Sequence, residues 1–385
     1  MIPLIQILLA FIIGFTLVYL TIPVIVKLSV AKKLVDTPNE RKVNKVAIPN
    51  LGGIAIFIGV TLGTLLAIQK NIFVELRYVL AGMIIMLFVG IKDDILALSA
   101  SKKFVSQIIC ALIIIALGDI RFTNLHGLFG IYEIGYVSSV LITMLAIVSI
   151  INALNLIDGI DGLATAIGIL ASLSFGTMFF ALNHFNYATL SFSLAGSLAS
   201  FFFFNVFGRK NKIFMGDTGS LSLGLLLAIF TIKFNEFTIT ENQEFFSFAP
   251  ILSLAVISVP LLDMIRLFIT RIINNRSPFS PDINHIHHKV LKLGYSHLKA
   301  TIIISTVNLF LISIVSVSRN LNNNVLLLLL IFLGIFFSLI PGLFYEIKKA
   351  NNSTIRKMQL HLFFLPFKKF SEDDKVGNNS LTTKN

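Results

Sequence analysis

The chain has 385 residues, of which 56% are hydrophobic and 13% are charged. A soluble domain carries about a quarter charged residues, so this composition excludes an ordinary soluble globular protein. The formal net charge of +12 would indicate nucleic-acid binding in a soluble protein. In an apolar chain the positive-inside rule explains the charge, and we expect no nucleic-acid partner.

Apolar segments follow one another along the chain and predict an all-α polytopic membrane protein with about eleven transmembrane helices. A helix needs roughly 20 such residues to cross a hydrocarbon core of about 30 Å. The first segment lacks a basic region and a cleavage site, so we predict a retained helix and not a signal peptide. The segments are 4–26, 51–69, 77–92, 104–118, 136–154, 162–182, 188–207, 219–234, 248–268, 300–318 and 324–345.

The basic residues predict the orientation of these helices in the lipid bilayer. If the N-terminus lies outside, all but five of the 31 Lys and Arg residues fall in segments on the inside. We therefore predict a bacterial inner-membrane protein whose C-terminus lies in the cytoplasm. The alternating outside loop with a central glycine predicts a small periplasmic β-hairpin near 120–134.

The first polar motif is the pair of carboxylates Asp93 and Asp94, which follow Lys92 at the end of the third apolar segment. Adjacent carboxylates at a helix end repel each other, and they persist where a cation or a phosphate-bound metal compensates their charge. A solvated helix end beside Lys102 and Lys103 explains this pair equally well.

The second motif, NALNLIDGIDGLA, places Asn152, Asn155, Asp158 and Asp161 three residues apart. On a helix this spacing predicts one polar stripe, and the two glycines of the motif permit a break that exposes backbone amides. The alternative is a hydrated polar turn between two spans. A turn does not need such an ordered stripe, so we favour a ligand site.

The third motif, FMGDTGSLSLG, runs over 214–224 and places Asp217 just before an apolar segment. It is typical of a helix N-cap, and a helix N-terminus with small residues also suits phosphate and metal. An aspartyl protease is unattractive, because the Asp-Thr-Gly sequence occurs once.

The fourth motif, SPFSPDINHIHHKV, contains His285, His287 and His288. Their spacing is unusual for zinc and no cysteine assists, so an anion site with neighbouring Arg and Lys residues is more plausible. The fifth motif is the loop 36–53, which is basic and ends in a Gly-Gly pair. It is either a positive-inside loop or a segment that closes over a ligand.

Together these motifs resemble the polyprenyl-phosphate N-acetylhexosamine-1-phosphate transferase family. Asp-Asp, NxxNxxDGxDGL, FMGDTGSLxLG and PDxxHIHH occur in the family's order. The resemblance implies that a sugar 1-phosphate passes from a UDP-N-acetyl sugar to undecaprenyl phosphate at the cytoplasmic face, with release of UMP. It also implies Mg²⁺ or Mn²⁺ on the diphosphate, since phosphoryl transfer requires charge neutralisation.

The resemblance runs from about residue 30 to about residue 300. With the apolar segments and the basic and polar composition of the C-terminal end, we predict a transmembrane catalytic domain over 1–346 and a cytoplasmic tail over 347–385. The expected active-site loops are 31–50, 92–103, 152–162, 208–218 and 269–298.

Residue roles follow from the same resemblance. Asp217 matches a metal ligand, Asp93 the carboxylate that deprotonates or positions the lipid phosphate, and Asp94 its partner near the metal. Asn155 and Asp158 match positions close to both nucleotide and metal. The expected substrate-binding residues are Lys45, Asn152, Gly159 and Asp161, Phe214 stacked on the base, Lys102 and Lys103, and His285, His287 and His288 on the diphosphate.

The pattern His-Ile-His-His resembles the branch that uses UDP-GlcNAc, whereas the phospho-MurNAc-pentapeptide branch has three consecutive histidines. We expect UDP-GlcNAc, with the other UDP-N-acetyl sugars as alternatives. Both direct attack and a covalent aspartyl route stay open. By family analogy alone we expect a homodimer.

A membrane transporter and a non-catalytic scaffold are alternatives from other classes. A transporter would place ionisable groups near mid-membrane, where Asp263 and Arg266 are the nearest case. A scaffold leaves the ordered carboxylates unexplained.

Overall fold

The computed structural model describes residues 2–35, 48–68, 73–240, 247–277 and 284–349. These residues are mostly helical, because a backbone in lipid must satisfy its polar groups within the chain. The helices are α1 (Ile2–Ala31), α2 (Gly52–Ala67), α3 (Leu76–Leu96), α4 (Ala100–Leu112, continued by a π-helical turn at Ile113–Leu117), α5 (Tyr136–Ile157), α6 (Leu163–Ala181), α7 (Phe185–Phe202, with a π-helical turn at Phe203–Phe207), α8 (Gly216–Thr240), α9 (Ala249–Val256), α10 (Ser258–Ile273), α11 (Ile286–Lys292), α12 (His297–Val317) and α13 (Asn323–Lys349).

Each predicted apolar segment coincides with a helix or a pair of helices. In the described part of the chain, eight helices are long and apolar enough to cross a membrane, and a ninth crossing arises if α9 and α10 form one span. The structure therefore confirms a polytopic helical protein. Helix α2 has only 16 residues, and α3 carries charged residues at both ends. The total of eleven crossings stays a prediction.

The ninth apolar segment was predicted to form a single span over 248–268, but it forms two helices. Helices α9 and α10 meet at an angle of 77°, with Ile257 between them outside helical geometry. Asn308 of α12 is fully buried beside the break, donates to the carbonyl of Val256 at 3.0 Å and accepts from the amide of Val259 at 3.2 Å. A buried amide side chain thus satisfies backbone groups that the break exposes, which is what permits a broken helix at membrane depth.

Helix α8 lies at the centre of the bundle, packed between α3 and α5. In its most apolar stretch 83% of the residues are buried, against 28% in α13 and 33% in α1. A helix that is apolar on all sides belongs in the interior, whereas α1 and α13 present apolar faces outward. Because α8 is held from several sides, its N-terminal residues have a well-defined position.

The Gly-Gly pair before α2 lies against the segment that leads into α8. The amides of Gly52 and Gly53 donate to the carbonyls of Phe214 and Met215, both at 3.0 Å. A Cβ on Gly53 would stand 2.1 Å from the backbone nitrogen of Gly219. The two glycines therefore permit a close approach of this segment to the backbone of α8. Residues 36–47 of the same loop, including Lys45, lie outside the described residues.

A two-stranded antiparallel sheet lies at the other end of α8. Its strands are β1 (Asn124–Leu128) and β2 (Ile131–Glu133), within the range predicted for a hairpin. The backbone amide and the hydroxyl of Thr123 donate to Glu236 at 2.8 and 2.7 Å. Glu236 follows Asp217 by 19 residues, or about 28 Å along the helix. The hairpin and the third polar motif thus occupy opposite ends of the bundle.

Candidate active site

A cavity of about 860 Å³ lies at the end of the bundle where α3 and α5 finish and α8 begins. All five polar motifs contribute to its wall, and five of its lining side chains are carboxylates. Nine of the residues singled out in the sequence line it, and these are Asp93, Asp94, Asn155, Asp158, Gly159, Asp161, Phe214, Asp217 and His288.

Asp94 caps the N-terminus of α8 from the neighbouring helix. Its Oδ1 accepts from the amide of Asp217 at 2.9 Å, and its Oδ2 accepts from the amide and hydroxyl of Thr218 at 3.0 and 2.6 Å. The first amides of a helix have no partner within the helix, and a carboxylate also suits the positive end of its dipole. Asp94 therefore positions Asp217.

Gly216 makes this cap possible. Its φ of +68° lies in the left-handed region, and a Cβ there would stand 2.5 Å from an oxygen of Asp94 and 2.0 Å from the carbonyl of Asn50. Only glycine fits both the conformation and the space. This explains why the motif has glycine immediately before its aspartate.

Asp217 itself is held by side chains from two other helices. Its Oδ2 accepts from the Lys103 ammonium at 2.8 Å, and its Oδ1 accepts from the Asn155 amide at 3.0 Å. The same ammonium lies 3.1 Å from Oδ2 of Asp93, whose Oδ1 accepts from the backbone amide of Leu98 at 2.6 Å. The two motifs that contain these aspartates are thus joined through one lysine.

The predicted polar stripe is only partly helical. Helix α5 ends at Ile157, so Asp158 is its C-cap and Asp161 lies in the following turn. That turn ends at Gly162, whose φ is +84°, which breaks the helical register. Asn152 donates to Gln107 of α4 at 2.7 Å and does not line the cavity. The prediction of four groups on one helix face is therefore wrong, although three of the four do meet in the cavity.

Asp158 accepts no hydrogen bond from the described residues and lies among other carboxylates. Burial, followed by repulsion from Asp217, Asp94 and Asp161, raises the pKa of Asp158 to about 8. The raised pKa shows that the neighbouring carboxylates disfavour a further negative charge at this position. A cation bound there would stabilise the ionised form of Asp158.

Asp161 has a different environment, because the side chains of Lys212 and His297 contact it. Lys212 Nζ lies 2.7 Å from its Oδ2 and His297 Nδ1 lies 3.1 Å from the same atom. Burial alone would raise the pKa of Asp161, but the bonds from His297 and Lys212 outweigh it and lower the pKa below its usual value. The Thr301 hydroxyl donates to the Asp161 carbonyl at 3.0 Å. Asp161 is therefore a fixed, ionised acceptor.

The three histidines do not face the cavity together. His288 lines it, whereas His285 Nδ1 lies 3.0 Å from Asp263, which also binds Arg266 at 2.6 Å. Asp263 and Arg266 were the ionisable pair that came closest to the pattern of a transporter. In the structure this pair holds the histidine motif in place. Of the three histidines expected to hold the diphosphate, His288 is the one that lines the cavity, and their binding role stays a prediction.

His287 is 1% exposed and packs against the turn after α5. A Cβ on Gly159 would stand 2.2 Å from its Nε2, so the glycine permits this contact. Burial, with the neighbouring His288 and His285, holds the pKa of His287 well below its usual range. A neutral imidazole in this position braces the cavity wall and is unsuited to binding an anion through its charge.

The donor atoms of the cavity suit magnesium better than zinc. No group of three or more His, Cys, Asp or Glu side chains in the described part of the chain is arranged to hold a metal. Mg²⁺ uses one or two carboxylates and completes its shell with substrate phosphates and water. Asp217, with Asn155 and Asp158 beside it, supplies such a set, and the Lys103 ammonium shows that a cation fits against Asp217.

Comparison with known proteins identifies the family. Residues 76–235 match the model of glycosyl transferase family 4. The chain is 32% identical over 336 residues to a Bacillus subtilis (strain 168) protein named probable undecaprenyl-phosphate N-acetylglucosaminyl 1-phosphate transferase, covering 86% of this chain and 90% of that protein. The chain belongs to glycosyl transferase family 4.

Two further relatives carry the name undecaprenyl-phosphate alpha-N-acetylglucosaminyl 1-phosphate transferase. The one from Pasteurella multocida (strain Pm70) is 34% identical over 276 residues, covering 71% of this chain and 75% of that protein. The one from Escherichia coli (strain K12) is 28% identical over 292 residues, covering 74% of this chain and 77% of that protein. This family 4 member is thus a transferase and a multi-pass membrane protein.

Several cavity residues of this family 4 protein were not predicted from the sequence. Asn205 is buried, accepts from the amide of Gly162 at 2.6 Å and donates to the carbonyl of Ile213 at 2.9 Å. A lone asparagine in an apolar run marks a position with a specific partner, so this signal was available. His297 and Lys212 belong to no motif, and Lys212 is indistinguishable from other inside lysines. Lys102, by contrast, is exposed outside the cavity.

Proposed function

We propose that this protein transfers N-acetylglucosamine 1-phosphate from UDP-N-acetylglucosamine to undecaprenyl phosphate and releases UMP. A phosphate oxygen of the lipid attacks the phosphorus next to the sugar, and the bond from that phosphorus to the UMP oxygen breaks. The observation that carries the proposal is the cavity lined by five carboxylates, two of which contact the Lys103 ammonium, in a chain whose relatives bear this name.

The position of Asp93 supports direct attack by the lipid phosphate. A phosphomonoester is largely ionised at neutral pH, since its second pKa is about 6, and so needs little help from a base. Both oxygens of Asp93 accept hydrogen bonds, from Leu98 and Lys103. A carboxylate engaged in this way is a poor covalent nucleophile but a rigid element for orienting a neighbouring phosphate.

The metal proposed for this site is Mg²⁺ or Mn²⁺, held by Asp217 with Asn155 and Asp158 close by. When bound it would neutralise the charge of the diphosphate. Asp94 contributes indirectly, because it holds the start of α8 and therefore the Asp217 carboxylate. The ionised carboxylates of the wall would repel a diphosphate that carried no cation.

The nucleotide side of the cavity is proposed to lie along Phe214, Gly159 and Asp161. An aromatic face stacks on a base, and the fixed carboxylate of Asp161 accepts an imide N–H. Uracil presents such an N–H in its ring. Lys45 is proposed to approach the nucleotide and His288 the diphosphate, while His285 and His287 support His288 through the ring contacts that join the three imidazoles.

We also propose eleven membrane crossings, with the N-terminus and the β-hairpin in the periplasm and the active site in the cytoplasm. The distribution of basic residues supports this orientation. The protein would then belong to the bacterial inner membrane, and a homodimer is proposed from family analogy alone.

A substrate panel tests the proposed reaction. The purified full-length protein in detergent, with Mg²⁺ and undecaprenyl phosphate, should release UMP from UDP-GlcNAc and form a tunicamycin-sensitive lipid product. UDP-GalNAc and UDP-MurNAc-pentapeptide serve as competing donors. Faster turnover of either would reassign the sugar, and absence of UMP release from every donor would refute the transferase.

Replacing Lys212 with Met tests the nucleotide side. The variant removes the Lys212 ammonium from Asp161 and leaves the His297 contact, so the KM for UDP-GlcNAc should rise about tenfold, as expected for loss of a charge-assisted hydrogen bond. The kcat should change less than about threefold, because Asp161, which Lys212 holds, is proposed to bind the nucleotide equally in the ground state and the transition state. Initial rates at varied UDP-GlcNAc measure both constants.

Lys210→Met is the matched control for this experiment. Lys210 is exposed, lies two residues away and carries the same charge. If both variants raise the KM equally, the effect comes from net charge and the contact with Asp161 is not its cause.

A further inference from the structure

Lys103, in the first turn of α4, is the cation between the two carboxylates that this reaction would use most directly. Its Nζ lies 2.8 Å from Asp217 Oδ2 and 3.1 Å from Asp93 Oδ2. The three side chains are 15–25% exposed, so solvent screens these contacts only partly. Asp217 and Asp93 would otherwise repel each other across the cavity.

A divalent cation on Asp217 and the ammonium in this position exclude each other. The Oδ1 of Asp217 already accepts from Asn155. The oxygen left for a metal is therefore Oδ2, the atom that Lys103 contacts. A Mg²⁺ ion bound about 2.1 Å from this oxygen would lie within roughly 4 Å of the Lys103 ammonium. Two cations at that distance repel each other. Lysine has a flexible four-carbon stem, so its ammonium can move while α4 stays in place.

We propose that Lys103 is a resident counter-ion that the divalent cation displaces from Asp217 and that then pairs with the acceptor phosphate beside Asp93. This inference rests on the proposed function. Asp93 stays fixed through the amide of Leu98, so the released ammonium keeps one anchor next to the attacking oxygen. Metal binding and acceptor binding are thereby coupled, and the lipid phosphate meets an available cation only after the metal has bound.

The proposal predicts opposite effects of one substitution on two ligands. Lys103→Met removes the competitor for Asp217, so Mn²⁺ should bind about tenfold more tightly, the size of a charge-assisted contact. The same variant removes a partner of the acceptor phosphate, so the KM for undecaprenyl phosphate should rise about tenfold. A lysine that only binds substrate would raise the KM without tightening Mn²⁺ binding.

The experiment is a titration of the purified full-length protein with Mn²⁺ in the absence of substrates, with free Mn²⁺ measured by electron paramagnetic resonance. Lys92→Met is the matched control, because Lys92 is exposed, adjacent to Asp93 and equally charged; its Mn²⁺ affinity should stay within about twofold, since surface charges are screened by salt. Lys103→Gln provides a second variant should the Met variant fold poorly. Unchanged or weaker Mn²⁺ binding by both Lys103 variants overturns the proposal.

The transfer assay separates this inference from the proposed function. If Lys103→Met binds Mn²⁺ more tightly but the wild-type protein releases no UMP from any donor, the displacement of Lys103 by the metal stands, while the transferase and the pairing with the acceptor phosphate are refuted. Normal transfer by the wild-type protein, with equal Mn²⁺ affinity in all variants, would refute the counter-ion alone.

Discussion

Asp217→Asn is expected to reduce UMP release by about a thousandfold, the scale of removing a group that stabilises developing charge. The amide removes the negative charge that the proposed metal requires and the partner of Lys103 at 2.8 Å. Its effect should fall on kcat with both substrates saturating. The measurement is the rate of UMP release at saturating UDP-GlcNAc and undecaprenyl phosphate.

The same variant should not lose stability. It removes one of several carboxylates that repel one another around Asp158, so the thermal midpoint in detergent should stay equal or rise. Asp119→Asn is the control, because that side chain is 80% exposed and lies with Arg121 away from the cavity; its activity should stay within about twofold of wild type. If Asp217→Asn retained a tenth of the activity, a metal role for this residue would be excluded.

Asp94→Ala is expected to lower both activity and stability. It leaves the first amides of α8 without the acceptor that now binds Asp217 and Thr218, and loss of an N-cap costs about 1 kcal/mol. The start of α8 would shift, and with it the Asp217 carboxylate, so kcat should fall about a hundredfold, as expected for a misplacement of about 1 Å. Thermal unfolding and the UMP assay, applied to one preparation, measure the two effects.

Thr218→Val is the graded comparison for this second variant. It removes only the hydroxyl that donates to Asp94 at 2.6 Å and keeps both backbone bonds, so activity should fall less than about tenfold. A stable Asp94→Ala protein with full activity would show that Asp94 does not position the site. An inactive Asp94→Ala protein of unchanged stability would instead indicate direct participation in the reaction.

Helix positions and the membrane class followed from the sequence alone. Lipid offers no hydrogen bonds to the backbone, so long apolar runs must form helices, and every predicted apolar segment is helical. The polar motifs were also visible, because an ordered carboxylate in an apolar chain has few structural explanations. Nine predicted residues accordingly line one cavity.

The positions of helix breaks and the partners of side chains depended on contacts between distant parts of the chain. The bend between α9 and α10 follows an apolar residue, Ile257, and is stabilised by Asn308, 51 positions further along. The helix that was predicted to carry the polar stripe as far as Asp161 ends at Ile157. The turn that follows is held by Asn205 of α7 and Thr301 of α12. Sequence periodicity has no access to such partners.

Lys102 and Lys103 show most clearly which features the sequence determines and which depend on the tertiary structure. In the sequence they are two adjacent inside lysines with the same chemistry, and both were expected to bind substrate. On a helix, neighbouring residues point about 100° apart, so only one of them can face a given neighbour. The sequence by itself determined that basic side chains gather at this end of the bundle. Only the packing of α4 against α3 and α5 decided that Lys103 lies between two aspartates while Lys102 stays exposed.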